Sequence, residues 1–308
     1  MADMFCGPMQ NLPREGQLLA IDTIEPGAGG CAANVAISLA KQGFAVDLAA
    51  CVGIDSSAHF LLKSLEEDGV GCEHVATTDL HSTSKTVILV VKSQDRRYIH
   101  MFGSNKAFTV SQINLDWVAG LKVFYLGGLL ALPGIDMDKL GDLLRFCREQ
   151  NVVTVVDVVV PQDFEVREAI RSLLPEIDFF LPNDDEAAQI TGATDTLQQL
   201  QQMSNWGANT AIVTLGEKGA MAVRDGKCWQ IGAYRVDLVD PSGSGDAFTG
   251  GVIAGALRGL DMPRMLRYAS AFGACATRAL GTTGGLLSVE ETEAFIEENP
   301  MEVDSWSL

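Results

Sequence analysis

The sequence predicts an α/β protein with a parallel central sheet flanked by helices on both faces and a small β-sheet lid beside it. Two observations predict this class. Between residues 121 and 280, short apolar runs rich in β-branched residues alternate with amphipathic stretches, as expected for strands buried on both faces and the helices that cover them. The first hundred residues instead alternate polar and apolar positions between polar turns, which indicates a partly solvated sheet.

The elements of the central sheet follow one another along the chain. Strands are predicted at Val123–Leu126, Val152–Val160, Ile177–Leu181 and Thr210–Leu215. Helices are predicted between and after them, at Asp136–Gln150, Phe164–Leu174, Glu186–Thr191 and Thr196–Trp206. Because strands alternate with helices in this order, the strands are expected to run parallel with helices on both sides.

The lid strands are expected within residues 10–30 and 72–106 of a single domain that spans residues 1–308. Strands are predicted at Leu18–Ile24, Thr86–Lys92 and Arg97–Met101, with a hairpin turn over residues 93–96. A helix at Asn34–Lys41, a strand at Asp47–Val52 and a helix at His59–Asp68 are predicted between the first two strands. Such a sheet often closes over a ligand; an edge extension of the main sheet is the alternative.

Composition excludes several classes of protein. The chain has 308 residues and a formal net charge of −18, which disfavours nucleic acid and anionic membranes as partners because both are polyanions. Its seven cysteines are scattered and form no CxxC pair, so neither a disulfide framework nor a zinc site is predicted. No signal peptide or membrane span is recognised in the sequence. The expected location is the cytoplasm.

The segment from Val239 to Gly251, VDPSGSGDAFTGG, is the most informative in the chain. Gly243 and Gly245 permit backbone conformations that other residues disfavour, and a helix rich in small residues follows. Free amides at such a helix start form an anion site. Asp246 lies beside it, where a carboxylate could accept a proton from an attacking hydroxyl. The alternative is a tight turn in which Asp246 only caps the helix.

The run from Asp240 to Gly251 resembles the carboxy-terminal signature of the PfkB, or ribokinase-like, carbohydrate kinases, DTxGAGDxFxGG. The resemblance extends over roughly residues 3–290 and implies the ribokinase-like version of the predicted fold. It also implies ATP and Mg²⁺ as cofactors. Asp246 would be the base that deprotonates the acceptor hydroxyl, and the amides of Gly243, Ser244 and Gly245 would stabilise charge on the transferred phosphoryl group.

The acceptor side of the resemblance lies near the amino terminus. The run that begins Gly29-Gly30 and continues to Asn34 is similar to the family's GGxxxNxA signature, which implies that these three residues bind the substrate. Asp3 matches the family's substrate-binding Asp, although here the apolar strand that usually precedes that Asp is missing from the sequence. Residues 27–32 also match GxGxxA, so an NAD(P)-dependent oxidoreductase is the alternative from another class.

Two further segments resemble the nucleotide side of the family. Asn183 and Glu186 match NxxE, which implies water-mediated binding of Mg²⁺ near ATP, and a helix-capping pair is the alternative. Thr214, Gly216 and Gly219 match the TxGxxG nucleotide loop, and Ser270 stands where the family borders the adenine. Asp240 and Ser242, with the loop 279–285, stand where many members bind a monovalent cation, so K⁺ is a further expected ligand.

The acceptor is expected to be a small neutral sugar. Members that act on sugar phosphates tend to carry Lys in the first motif, where this sequence has Cys31, and a phosphate requires fixed cations. Arg96, Arg97, His100 and Lys106 could still supply charge, so a sugar-phosphate kinase and a nucleoside kinase remain alternatives. Lids of this type often pair, and a homodimer through the lid is expected.

Overall fold

The structure is a computed structural model that describes residues 1–92, 94, 96–161 and 166–308. Its strands are β1 (Ala2–Met9), β2 (Ile24–Ala28), β3 (Ala50–Gly53), β4 (Val75–Thr78), β5 (Lys85–Val91), β6 (Arg97–Met101), β7 (Val123–Leu126), β8 (Val153–Val156), β9 (Phe179–Phe180), β10 (Thr210–Thr214), β11 (Ala220–Arg224), β12 (Lys227–Ile231) and β13 (Val303–Ser307).

Its α-helices are α1 (Cys31–Lys41), α2 (Ser56–Glu67), α3 (Leu115–Ala119), α4 (Met137–Glu149), α5 (Arg167–Leu173), α6 (Asp184–Thr191), α7 (Thr196–Asn205), α8 (Ser244–Leu257), α9 (Met262–Ala276) and α10 (Val289–Glu298).

The large sheet has the strand order β13-β12-β11-β10-β9-β8-β7. β7 to β10 are parallel to one another, as the alternation of strands and helices predicts. β11, β12 and β13 extend the sheet in antiparallel pairs. The sheet is therefore mixed, and its parallel part is confined to the four strands that alternate with helices.

Both faces of the large sheet are covered, because neighbouring strand residues point to opposite sides. Val155 packs in a core with residues of α1, α8 and α9. Val156 packs in a second core with residues of α4, α5, α6 and α7. Both side chains are fully buried, which explains why β8 is apolar at consecutive positions rather than at alternate ones.

A separate four-stranded sheet, the lid sheet, has the order β2-β1-β5-β6. The strand predicted at Leu18–Ile24 is wrong: the strand is Ile24–Ala28, and Leu18 is 94% exposed. Alternation alone could not place it, because β2 is aligned by its pairing with β1, a strand that the sequence did not predict. Ser93 and Asp95 of the predicted hairpin turn lie outside the described residues.

The bounds of several other predicted elements differ from the structure. The strand predicted at Asp47–Val52 is β3, which begins at Ala50 and pairs in parallel only with β4 in a two-stranded sheet. The helix predicted at Phe164–Leu174 is described from Arg167 to Leu173 as α5, and Phe164 and Glu165 lie outside the described residues.

The residues at the carboxyl ends of the parallel strands lie at one edge of the large sheet. Asp157 follows β8, Asn183 follows β9 after two further residues, and Thr214 ends β10. Asn183 and Thr214 form an isolated parallel bridge across this edge. In open α/β sheets, ligands bind at the carboxyl ends of the strands, so this edge is where a site is expected.

Candidate active site

α8 begins at a glycine whose conformation few other residues could adopt. Gly243 has φ +74° and is the N-cap of α8, and no side chain caps this helix start. A Cβ at Gly243 would overlap the carbonyl oxygen of Thr282, so the glycine lets the loop before α8 pack against the loop after α9. The Ser244 amide is one of those predicted to bind an anion, and it donates only a long hydrogen bond, of 3.4 Å, to the Pro241 carbonyl.

Asp246 lies in the first turn of α8 and is half-buried. Asn34 of α1 donates its side-chain amide to Asp246 Oδ2 at 2.7 Å. Thr282 in turn donates its hydroxyl to Asn34 Oδ1 at 3.0 Å. Burial raises the pKa of Asp246, whereas the hydrogen bonds from Asn34 and Cys31 lower it. The carboxylate is therefore oriented by α1 and α8 together, as a general base requires.

Asp3 lies in β1, and its side chain is buried. Its carboxylate packs so closely on Gly29 that a Cβ there would overlap it, which is a structural reason for the glycine. The pKa of Asp3 is raised to about 6, chiefly by burial and in part by the nearby charge of Asp246. Among the described residues, Asp3 Oδ1 has no hydrogen-bond partner, so it is available to a ligand hydroxyl.

Gly30 is the remaining residue that was predicted to bind the substrate, and it directly precedes α1. It has φ +98° as the N-cap, and no side chain caps this helix start. The four residues predicted to bind substrate thus belong to two neighbouring structures, β1 and the start of α1. The hydrogen bond from Asn34 joins them to Asp246 across a sequence separation of 212 residues.

Sequence reasoning missed a second acidic residue beside the predicted base. Asp157 Oδ1 accepts a hydrogen bond from the Gly128 amide, and Asp157 Oδ2 accepts one from the Tyr125 hydroxyl. One side-chain atom each of Asp157, Asp246 and Cys31 lies within 4.8 Å of the others. Burial, followed by the charge of Asp246, raises the pKa of Asp157 to about 8.

The signal for Asp157 was available in the sequence. It is a carboxylate inside the apolar run Val152–Val160, which was assigned entirely to a strand, whereas the strand ends at Val156. A charged residue inside such a run indicates either a strand end or a functional position, because an unpaired buried charge is costly.

Asn183 and Glu186 form a reciprocal cap at the start of α6. Asn183 Oδ1 accepts from the Glu186 amide at 2.8 Å, and Glu186 Oε2 accepts from the Asn183 amide at 2.9 Å. The pKa of Glu186 is raised to about 7, chiefly by burial and in part by the charges of Asp185 and Asp246. A divalent cation would relieve this repulsion and suits oxygen donors, so these residues fit Mg²⁺ in addition to their capping role.

The remaining nucleotide candidates lie around the ends of β10 and β12. Thr214 ends β10, and Gly216, with φ +58°, follows it in a turn with open space beside its Cα. Gly219 has φ +94°, and a Cβ there would overlap the carbonyl oxygen of Ile231. Ser270 of α9 donates its hydroxyl to the Gly232 carbonyl at 3.0 Å. Gly219 and Ser270 therefore contact the same short segment at the end of β12.

Asp240 and Ser242 do not fit the predicted K⁺ site. Asp240 Oδ1 accepts hydrogen bonds from the Ser242 amide at 2.9 Å and from the Ser242 hydroxyl at 2.7 Å. Arg96 Nη1 lies 3.6 Å from Asp240 Oδ1 and donates to Ser242 Oγ. A guanidinium group therefore already contacts both side chains that were assigned to the potassium ion.

The dinucleotide alternative does not match the geometry. Gly27 lies within β2, an antiparallel strand of the lid sheet. The dinucleotide fingerprint instead requires a loop that follows a parallel strand of the main sheet and leads into a helix.

No helix among the described residues is long and apolar enough to cross a membrane.

Known proteins are similar to this chain over nearly its whole length. A deoxyribokinase of Salmonella typhi is 26% identical over 293 residues, which cover 94% of each chain. An Arabidopsis thaliana ribokinase solved with ribose and ATP has a TM-score of 0.83 at 23% identity, with 96% of each chain covered. An E. coli chain solved with ATP and Mg²⁺ has a TM-score of 0.82 at 21% identity and covers 97% of this chain.

The two solved structures establish that the fold is the ribokinase fold, with a mixed main sheet, helices on both faces and a lid sheet. The model of the pfkB family of carbohydrate kinases matches residues 4–288, nearly the whole chain. On this match, the chain belongs to the PfkB carbohydrate kinase family.

Proposed function

We propose that this protein transfers the γ-phosphoryl group of MgATP to a hydroxyl of a small neutral sugar, with Asp246 as the general base. The observation that supports the proposal most strongly is the placement of Asp246. Its carboxylate is held by Asn34 beside the uncapped, glycine-led start of α8. A base next to free helix amides suits a reaction in which a hydroxyl loses a proton while negative charge moves onto a phosphoryl group.

The donor side has residues suited to MgATP. Glu186 and Asn183 would hold the magnesium ion through water, and Thr214 lies beside Asn183 across the bridge between β9 and β10. Gly216 leaves open space next to Thr214, which would let a nucleotide approach the backbone. The magnesium ion neutralises charge on the phosphates when it is bound.

The chain's own residues have separate tasks in this mechanism. Asp3 and Asn34 would orient the acceptor, with the unpartnered Asp3 Oδ1 accepting a sugar hydroxyl. Asp246 would accept the proton of the attacking hydroxyl at a carboxylate oxygen. The amides of Gly243, Ser244 and Gly245 would stabilise the charge on the transferred group, and the lid sheet would exclude water.

The charges around the site support a neutral acceptor. Asp3, Asp157 and Asp246 influence one another's pKa values or lie close together, so a phosphorylated sugar would add negative charge to an acidic pocket. Two of the four side chains considered for a phosphate have other contacts: Arg96 pairs with Asp240, and Arg97 donates to Gln94 Oε1 at 2.8 Å.

A coupled assay of ADP release over a panel of acceptors tests the proposal. The panel contains free pentoses and hexoses, their phosphates, and nucleosides, each with MgATP. The proposal expects turnover with at least one free sugar and a lower kcat/KM for every phosphorylated counterpart. Turnover confined to nucleosides or sugar phosphates would contradict the assigned acceptor, and absence of ADP release with every compound would contradict the kinase assignment.

The substitution Asp246→Asn tests the assigned base. Turnover is expected to fall by about a thousandfold, because an amide cannot accept the proton, while ATP affinity measured by calorimetry stays near the wild-type value. Asp304→Asn is the control, since Asp304 is an exposed carboxylate on β13. Near wild-type turnover in Asp246→Asn would exclude Asp246 as the base.

A homodimer through the lid sheet is proposed as well. The lid strands expose large apolar side chains, namely Met4, Ile24, Tyr98, Ile99 and Met101. Exposed apolar patches of this kind are typical of protein interfaces. Light scattering at micromolar concentration should give twice the chain mass of 32.9 kDa, and the chain mass itself would contradict the proposal.

A further inference from the structure

Arg96 connects the lid sheet to the loop that precedes α8. It lies immediately before β6 in the hairpin of the lid, and its side chain is only 17% exposed. Its Nη1 atom donates to Ser242 Oγ and lies 3.6 Å from Asp240 Oδ1. This contact joins two parts of the molecule that are separated by more than 140 residues in the sequence.

Asp240 is the centre of the hydrogen bonds that hold the glycine loop. Its side chain is 4% exposed. Oδ1 accepts the two hydrogen bonds from Ser242 described above, and Oδ2 accepts from the Gly281 amide at 3.0 Å. One buried carboxylate thus fixes the start of the loop 240–245 and joins it to the loop that contains Thr282, against which Gly243 packs.

A nearby cation stabilises a carboxylate buried in this way, because it offsets the cost of removing the charge from water. Arg96 is the cation that the structure places there. A guanidinium group is always charged and offers several donors in a fixed plane. The Arg96 guanidinium contacts Asp240 Oδ1 and Ser242 Oγ, the side-chain oxygens predicted to bind K⁺. Guanidinium and K⁺ therefore cannot both bind them.

We propose that Arg96 is a positioning residue that supplies the cation of Asp240 in place of K⁺ and thereby couples the lid sheet to the anion-binding loop. The inference rests on the proposed function for its catalytic consequence, which is turnover that does not require K⁺. Its structural consequence is independent of any substrate: when Arg96 is lost, the loops 240–245 and 277–285 lose a shared attachment to the lid.

Hydrogen–deuterium exchange on the ligand-free protein tests the structural consequence in a buffer without K⁺. Arg96→Ala is expected to exchange faster than wild type in both loops. Arg97→Ala is the matched control, because Arg97 is the adjacent, exposed arginine of the same hairpin and contacts Gln94. Equal exchange of the two loops in Arg96→Ala and Arg97→Ala would overturn the proposal. Arg96→Gln, which keeps length and polarity, replaces Arg96→Ala if the latter does not fold.

Activity measurements test the cation. Wild-type turnover is expected to be the same within about twofold in potassium and sodium salts of equal ionic strength, whereas tenfold stimulation by K⁺ would overturn the proposal. Arg96→Ala should lose at least about tenfold in kcat, because the loop that positions the phosphoryl group is no longer fixed. Guanidinium chloride below denaturing concentration, or K⁺, should restore part of that loss in Arg96→Ala but not change Arg97→Ala.

The two experiments separate failure of this inference from failure of the proposed function. If the wild-type protein phosphorylates none of the acceptors, the proposed function fails, and the exchange experiment still decides whether Arg96 orders the loop. If the protein is an active kinase and neither loop exchange nor kcat changes in Arg96→Ala, the inference alone is wrong.

Discussion

Two kinds of helix start occur in this protein, and they differ in what satisfies the free amides. Seven helices begin with a polar residue whose side chain accepts from the first turn, namely Asp55, Asn114, Asp136, Asn183, Asp195, Asp261 and Ser288. α1 and α8 begin at Gly30 and Gly243, without a side-chain cap. α5 also begins without a side-chain cap, at the apolar Val166. α1 and α8 are the two that begin at a glycine, and they are joined by the hydrogen bond from Asn34 to Asp246.

Seven helix starts are therefore closed by the chain, whereas the two glycine-led starts at the candidate site leave their first amides without a side-chain acceptor. A capping side chain occupies the amides that would otherwise bind an anion. α6 combines both properties, since its cap is made by Asn183 and Glu186, the pair that also fits Mg²⁺. The contrast can be tested by changing an uncapped helix start at Gly243, the contact between α1 and α8 at Asn34, and a capped helix start at Asp195.

Gly243→Ala should cause the largest loss of activity, about a hundredfold or more in kcat. Alanine at φ +74° is strained, and its Cβ would overlap the Thr282 carbonyl, so the amides at the start of α8 would be displaced. Gly259→Ala is the matched control, because Gly259 has φ +66° with open space around it. The comparison would be broken if both variants lost the same amount of activity in the ADP-release assay.

Asn34→Ala should lower kcat by about tenfold, in line with the loss of one hydrogen bond to a charged group. That bond lowers the pKa of Asp246, so its removal should raise the pKa of the base. Asp246 must be ionised to act, and the acidic limb of kcat/KM should therefore move to higher pH. The loss should be greater at pH 6 than at pH 9.

A pH titration of kcat/KM checks the Asn34 prediction. Thr282→Val is a milder variant for comparison, since it removes the donor to Asn34 Oδ1 but leaves the bond to Asp246. A movement of the acidic limb to lower pH in Asn34→Ala would contradict the assigned direction of the pKa change.

Asp195→Ala should have the smallest effect on activity and act on stability alone. Asp195 accepts from the Gln198 amide at the start of α7, and loss of such a cap costs about 1 kcal/mol of unfolding free energy. Urea denaturation should show this loss while kcat stays unchanged. A tenfold change in kcat would mean that closed helix starts also serve the site.

Much of the site could be predicted from the sequence because its residues lie in short, ordered segments. The segment from Asp240 to Gly251 contains the proposed base and the amides proposed to bind an anion within one turn and one helix start. Asn183 and Glu186 are three residues apart, so a single helical turn places them together. β6 and β7 coincide with their predictions, and α4 differs by one residue at each end, because their patterns are regular and complete.

The sequence could not predict the features that depend on contacts between segments distant in the chain. β2 is aligned by β1 rather than by its own pattern. Asp157 lies beside Asp246 because the end of β8 and the first turn of α8 meet in the folded chain. Arg96 reaches Asp240 only because the lid hairpin folds over the loop before α8.

Local spacing and backbone freedom were enough to predict the fold class, the candidate base and the glycine-led helix starts from the sequence. Only the tertiary structure shows that the Arg96 guanidinium lies beside Asp240, and that a second carboxyl adjoins the candidate base. The physical reason is that burial and charge pairing depend on which distant segments meet, and no local pattern records those meetings.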